Sequence, residues 1–198
     1  IKALGNSTPI DAPFCDTSIP NPEDMYGRSK LAAEKLLQKI DAPPSFTVSI
    51  LRIPLVLGEG AKANAAALIR LVRSGLPLPF LGIANKRSFI GLDNLTDAVL
   101  CVLIHRINGV IHIADEPAIS TPELLAYIAA AESHKLKLFR LPTVLALLLL
   151  NAPFLGSLWS RLSQSLELLT SPSLYSAGYQ PKYSMRDTID NMVRYDPT

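Results

Sequence analysis

Apolar and polar positions follow two rhythms along this chain. Phe46-Thr47-Val48-Ser49-Ile50-Leu51 and Val110-Ile111-His112-Ile113-Ala114 are short runs rich in β-branched residues and bounded by turn residues, the signature of buried strands. Arg87-Ser88-Phe89-Ile90-Gly91-Leu92 reads as a third short strand, and Arg52 to Gly58 reads as a loop. Between them lie helical patterns. Asn21-Pro22-Glu23-Asp24 supplies a cap, a first-turn proline and two acids for a helix running to about Lys39, where Asp41-Ala42-Pro43-Pro44 stops it. Leu68, Ile69, Leu71 and Val72 mark a second helix, from about Asn64 to Ser74, closed by Gly75. Asp93 caps a third that ends near His105, and Thr121-Pro122-Glu123 opens a fourth to about Glu132. Ser184, with Asp187 three residues on, starts the last helix, which ends near Tyr195.

Alternating strands and helices predict an α/β fold with parallel pairing. Three or four strands cannot complete a doubly wound sheet, and no glycine-rich strand-to-helix turn occurs in the sequence. One stretch breaks the rhythm. Leu141 to Trp159 is 19 consecutive uncharged residues, near the length of a membrane span. Pro142, Asn151, Pro153 and Gly156 interrupt it, so a buried or interfacial helix is expected, with Arg140 and Arg161 as flanks able to meet lipid headgroups.

Composition narrows the function classes. The chain has 198 residues, 48% hydrophobic and 18% charged, enough for one well-buried domain and too apolar for disorder. Nineteen basic and 17 acidic side chains give a net charge of +2, and no basic run is interleaved with aromatics, so no nucleic-acid partner is expected. Cys15 and Cys101 form no CxxC, and His105, His112 and His134 have no ligand spacing; free thiols, no metal site and a cytoplasmic setting are expected. The chain starts at Ile1, with no leader pattern, and reads as a piece of a longer protein.

The chemistry sits in Tyr26-Gly27-Arg28-Ser29-Lys30. Four residues apart on a helix, the tyrosine and lysine share one face. An ammonium beside a phenol favours the phenolate, which makes the pair a proton-transfer device. A surface tyrosine followed by a solvated lysine would give the same spacing.

The order of motifs resembles the C-terminal part of the extended short-chain dehydrogenase/reductase family, in particular its NAD-dependent nucleotide-sugar epimerases and dehydratases. The residues that carry the resemblance are Tyr26 to Lys30 with Ala33-Glu34, Leu51-Arg52-Ile53-Pro54-Leu55-Val56-Leu57-Gly58, Lys62-Ala63-Asn64, Arg87 to Leu95, and Gly178-Tyr179-Gln180-Pro181. It implies the C-terminal part of a Rossmann-like doubly wound parallel sheet plus a small mixed α/β substrate-binding subdomain. Residues 1–60 would end the NAD-binding domain and 61–198 would be mainly the substrate subdomain, with 88–114 partly returning to the sheet.

By this resemblance Tyr26 would be the general acid/base, and Lys30 would hold the nicotinamide ribose and promote tyrosine ionisation. Pro54 would border the nicotinamide, or simply end its strand. Asn64 would offer donors to a substrate diphosphate and Arg87 a guanidinium, with Lys86 able to share that task. Phe89 would flank the base or ribose, or belong to the core. A second diphosphate arginine has no match between Leu166 and Leu174, and the hydroxyl that assists the tyrosine would precede Ile1.

The function implied is that of a UDP-glucose 4-epimerase-like enzyme, using NAD and a UDP-sugar and forming a homodimer when complete. These 198 residues alone would be inactive and would associate through uncovered sheet surface. A 4-keto-sugar reductase or dehydratase, a membrane-associated hydroxysteroid-type dehydrogenase and a non-catalytic NAD-binding module remain as alternatives. Membrane contact is possible but not favoured.

Overall fold

The computed structural model describes residues 1–41, 43, 45–60, 64–142, 144–145 and 155–195. Helix α1 (Met25–Leu37) starts later than the proline and acids suggest, because Asp24 and not Asn21 is the cap: its carboxylate accepts the Gly27 N–H at 2.6 Å. Strand β1 (Ser49–Arg52) follows. The predicted loop after it contains a further strand, β2 (Leu55–Leu57). Helix α2 (Asn64–Arg73), strand β3 (Arg87–Gly91) and helix α3 (Leu92–Ile104) keep their predicted places, although Gly91 is the cap of α3 and Asp93 lies in its first turn.

Strand β4 (Gly109–His112) leads into β5 (Asp115–Ile119), which the sequence reading did not foresee. Ser120, one residue before the expected Thr121, caps α4 (Thr121–Ala131) in a capping box with Glu123. Most of the apolar stretch from Leu141 to Trp159 lies outside the described residues; its end forms α5 (Leu155–Ser163). Then come α6 (Pro172–Ser176) and α7 (Met185–Arg194), the latter with the expected Ser184–Asp187 capping box. Among the described residues no helix is long and apolar enough to cross a membrane.

The strands form two sheets. Parallel β1 and β4 pair with Arg52 opposite His112, and β2-β3-β5 is parallel on one side of β3 and antiparallel on the other. Alternation along β3 divides its faces. Phe89 enters the larger core, with Leu57, Ile69, Leu125, Ile128 and Ile189, while Ile90 enters a second with Ile111, Ile113 and Leu174. Helix α4 packs between α2 and α7 behind the first of these cores.

Candidate active site

Tyr26 and Lys30 lie in the first two turns of α1, as the spacing requires. Both are exposed, Tyr26 at 60%, and the Lys30 ammonium rides over the phenol ring 5.1 Å from its centroid. Among the described residues no carboxylate pairs with Lys30. Between them, Gly27 is buried where the helix meets the N-terminal segment: a Cβ there would sit 2.5 Å from the Lys2 carbonyl oxygen. The glycine lets the helix start dock backbone to backbone.

The helix is anchored from below. One turn past Lys30, buried Glu34 takes a two-pronged ion pair from Arg52 at the end of β1, with Nη2 to Oε2 at 2.7 Å and Nε to both oxygens at 3.2 Å. Arg52 Nη1 lies 3.4 Å from Nε2 of His112, which is fully buried at the end of β4. A guanidinium can only donate, so Nε2 accepts and the ring proton sits on Nδ1. Among the described residues Nδ1 has no hydrogen-bond partner; Asp16 is 3.6 Å away and accepts instead from Ser171 Oγ at 2.5 Å. Burial first, and the Arg52 charge second, push His112 down to about 4, with Asp16 opposing them. The imidazole is neutral at pH 7. Pro54 is buried in the link between β1 and β2, two residues beyond Arg52.

Arg87 opens β3 half-buried and donates from Nη1 to the Gln164 carbonyl at 3.0 Å. Burial, and after it the charge of Arg161 on α5, pull its guanidinium below the usual value. Two arginines therefore stand near one another, and neither has a carboxylate partner among the described residues. Arg161 is the residue that sequence reasoning missed, because its place at the end of an apolar stretch reads as a flank and it precedes the 166–174 region. The available signal was its isolation as the lone cation between Arg140 and Lys182.

Arg161 also acts on Asp24, whose carboxyl is held below its usual range first by the Gly27 N–H and then by Lys2, with Arg161 adding to them. Asp24 caps the helix of Tyr26, so Arg161 lies within electrostatic reach of the start of that helix. Lys86, in contrast, is engaged by Asp11 at 2.7 Å on the surface. Phe89 is packed in the larger core, 4% exposed, and supports β3 from within. Asn64 is the first residue of α2; its side chain, with Lys62 and Ala63, lies outside the described residues.

The chain as a whole is similar to known proteins. The chain is 33% identical over 192 residues to a UDP-glucose 4-epimerase of Vibrio cholerae, covering 94% of this chain and 58% of that protein. A dTDP-L-rhamnose 4-epimerase of Burkholderia thailandensis is 30% identical over 95 residues, 44% of this chain and 26% of that one. Among solved structures, the fold matches the UDP-glucose 4-epimerase of Thermus thermophilus in complex with NAD, at TM-score 0.72 and 17% identity over 98% of this chain and 60% of the other. It also matches RMD from Pseudomonas aeruginosa complexed with NADPH, at TM-score 0.73 and 20% identity over 98% and 63%. The chain thus spans about three fifths of the length of the relatives it matches along nearly its whole length. Residues 2–114, from the segment under α1 to the end of β4, match the model of the NAD dependent epimerase/dehydratase family, and the chain belongs to that family.

Proposed function

We propose that the complete protein is an NAD-dependent nucleotide-sugar 4-epimerase acting on a UDP-hexose. One observation carries this reading: Tyr26 and Lys30 stand exposed on one face of α1, the Lys30 ammonium 5.1 Å from the phenol centroid, in a chain that matches the epimerase/dehydratase family over residues 2–114. A diphosphate held by paired guanidinium donors would place the attached sugar toward the phenol. The Vibrio cholerae relative supports the substrate class.

The residues present fit the nicotinamide end of the cofactor. Lys30 is exposed, has three donors and no acid partner among the described residues, and so has donors to give to ribose hydroxyls. Bound NAD would supply hydride exchange at the sugar carbon. Tyr26 would take the proton of the sugar hydroxyl and later return it, with the Lys30 ammonium held 5.1 Å from its ring centroid. Buried Pro54 would shape the wall of the nicotinamide site.

The test is conversion of UDP-galactose to UDP-glucose by the complete protein. Tyr26→Phe should lower turnover by about 10²–10⁴ while leaving the melting temperature unchanged, because the residue is exposed. Undiminished turnover in that variant would overturn the assignment. The same pair serves keto-sugar reduction and dehydration, and the family includes dehydratases, so the second reading is a reductase or dehydratase. Net consumption of reduced nicotinamide, or loss of water from the sugar, would favour it.

A further inference from the structure

The loop 76–82 and the segment 135–140 run side by side. Leu78 N–H donates to the Lys137 carbonyl at 2.9 Å, Phe139 N–H to the Leu78 carbonyl at 2.9 Å, and Leu81 N–H to the Phe139 carbonyl at 3.1 Å. Leu78 and Phe80 turn into the core. Leu76, Leu81 and Phe139 face outward, and Val144 and Leu145 follow a few residues on; these five are between 42% and 68% exposed. Aliphatic and aromatic tips of this size, gathered on one ridge, mark an interaction surface.

The charge on the ridge is of one sign. Lys135, Lys137 and Arg140 are all exposed, and the Arg140 guanidinium lies over Gly82, where an added Cβ would be 3.1 Å from it. None of the three has a carboxylate partner among the described residues. The nearest acid in sequence, Glu132, is taken by Arg73 at 2.9 Å. From Ser133 to Leu166 the sequence contains no Asp or Glu at all.

We propose that this ridge, Leu76, Leu81 and Phe139 with Lys135, Lys137 and Arg140, docks the protein peripherally on an anionic lipid surface. Apolar tips enter the headgroup boundary, while the cations keep their stems along it and their heads among lipid phosphates. Charge complementarity selects this occupant, because a purely apolar partner would leave three cations facing it unpaired. Contact of this kind needs no spanning helix, in keeping with the absence of one among the described residues.

The experiment is co-sedimentation of the complete protein with vesicles of phosphatidylglycerol and phosphatidylcholine, or of phosphatidylcholine alone, at low and high salt. Expected is binding to the anionic vesicles that salt weakens. Lys135→Glu/Lys137→Glu/Arg140→Glu should lower the partition coefficient roughly a hundredfold, and Phe139→Ser should lower it less. Should the triple variant not fold, the salt titration of the unaltered protein decides alone. The proposal is overturned by absence of binding to anionic vesicles, by equal binding to neutral ones, or by an undiminished triple variant. It is also overturned if the same substitutions disperse an oligomer instead, which would make a second copy the occupant.

Discussion

The tyrosine-lysine pair and the arginine pair are built in opposite ways. Tyr26 and Lys30 belong to one helix, four residues apart, and that helix is fixed from beneath by the buried Glu34–Arg52 ion pair. Arg87 and Arg161 come from a strand and a helix 74 positions apart in sequence, and among the described residues the one hydrogen bond seen for either guanidinium is Arg87 to a backbone carbonyl. A reacting group needs a rigid base. Under the proposed function the two like charges need room and no competing acid, and a diphosphate would relieve the repulsion between them.

The sharpest way to break the first arrangement is to remove its base. Glu34→Ala leaves the Arg52 guanidinium buried without its partner, and should cost about 3–5 kcal/mol of stability. Denaturant unfolding of the complete protein measures this. Glu34→Met combined with Arg52→Leu should recover most of the loss, since it removes both charges. If the single change costs no more than a surface substitution, the ion pair is not what holds α1.

The arginine pair should respond in binding and not in stability. Arg87→Ala or Arg161→Ala removes a charge-assisted contact of about 1.5–3 kcal/mol, and each should raise KM for the nucleotide sugar about 10- to 100-fold with kcat little changed. The double variant should cost less than the product of the two, because each single change also relieves repulsion. An Arg161→Ala enzyme with unchanged KM would remove α5 from the site.

What could be read in advance follows the same division. Elements with local signals were legible: the capping box at Ser184 and Asp187, the existence of α1 although not its start, the β-branched runs of β1 and β4. Strand β2, only Leu55–Leu57 beyond Pro54, is too short to show a rhythm and exists because β3 pairs with it. Strand β5 contains Pro117, which reads as a breaker; it is tolerated because β5 is the outer strand of its sheet and has one free edge. The one signal at Arg161 was its isolation as a lone cation, and nothing within several residues reveals that it acts on Arg87. Nor did His112 reveal the network it joins; its neighbours in space come from α1, β1 and the loop at Asp16.

His112 offers the most specific probe of the base under Tyr26. Its imidazole is pushed down to about 4 in the folded protein by burial and by Arg52, against an ordinary value of 6.5. Between these two values the unfolded chain binds a proton that the folded one does not, so stability rises with pH across the window. The contribution is whole above about 6.5 and is lost as pH falls toward 4, at about 1.4 kcal/mol per pH unit. Lys30 and Tyr26 lie on the exposed side of α1 and take no part. The acids Asp16 and Glu34 attract the proton, yet burial and Arg52 outweigh them. His112→Asn removes the titrating group, so the difference between its unfolding free energy and that of the unaltered protein should change across pH 4 to 6.5 and be flat above it. A difference that is flat throughout would mean that water reaches the imidazole and that the Arg52 network is open to solvent. The helix carrying Tyr26 would then stand on the Glu34–Arg52 pair alone.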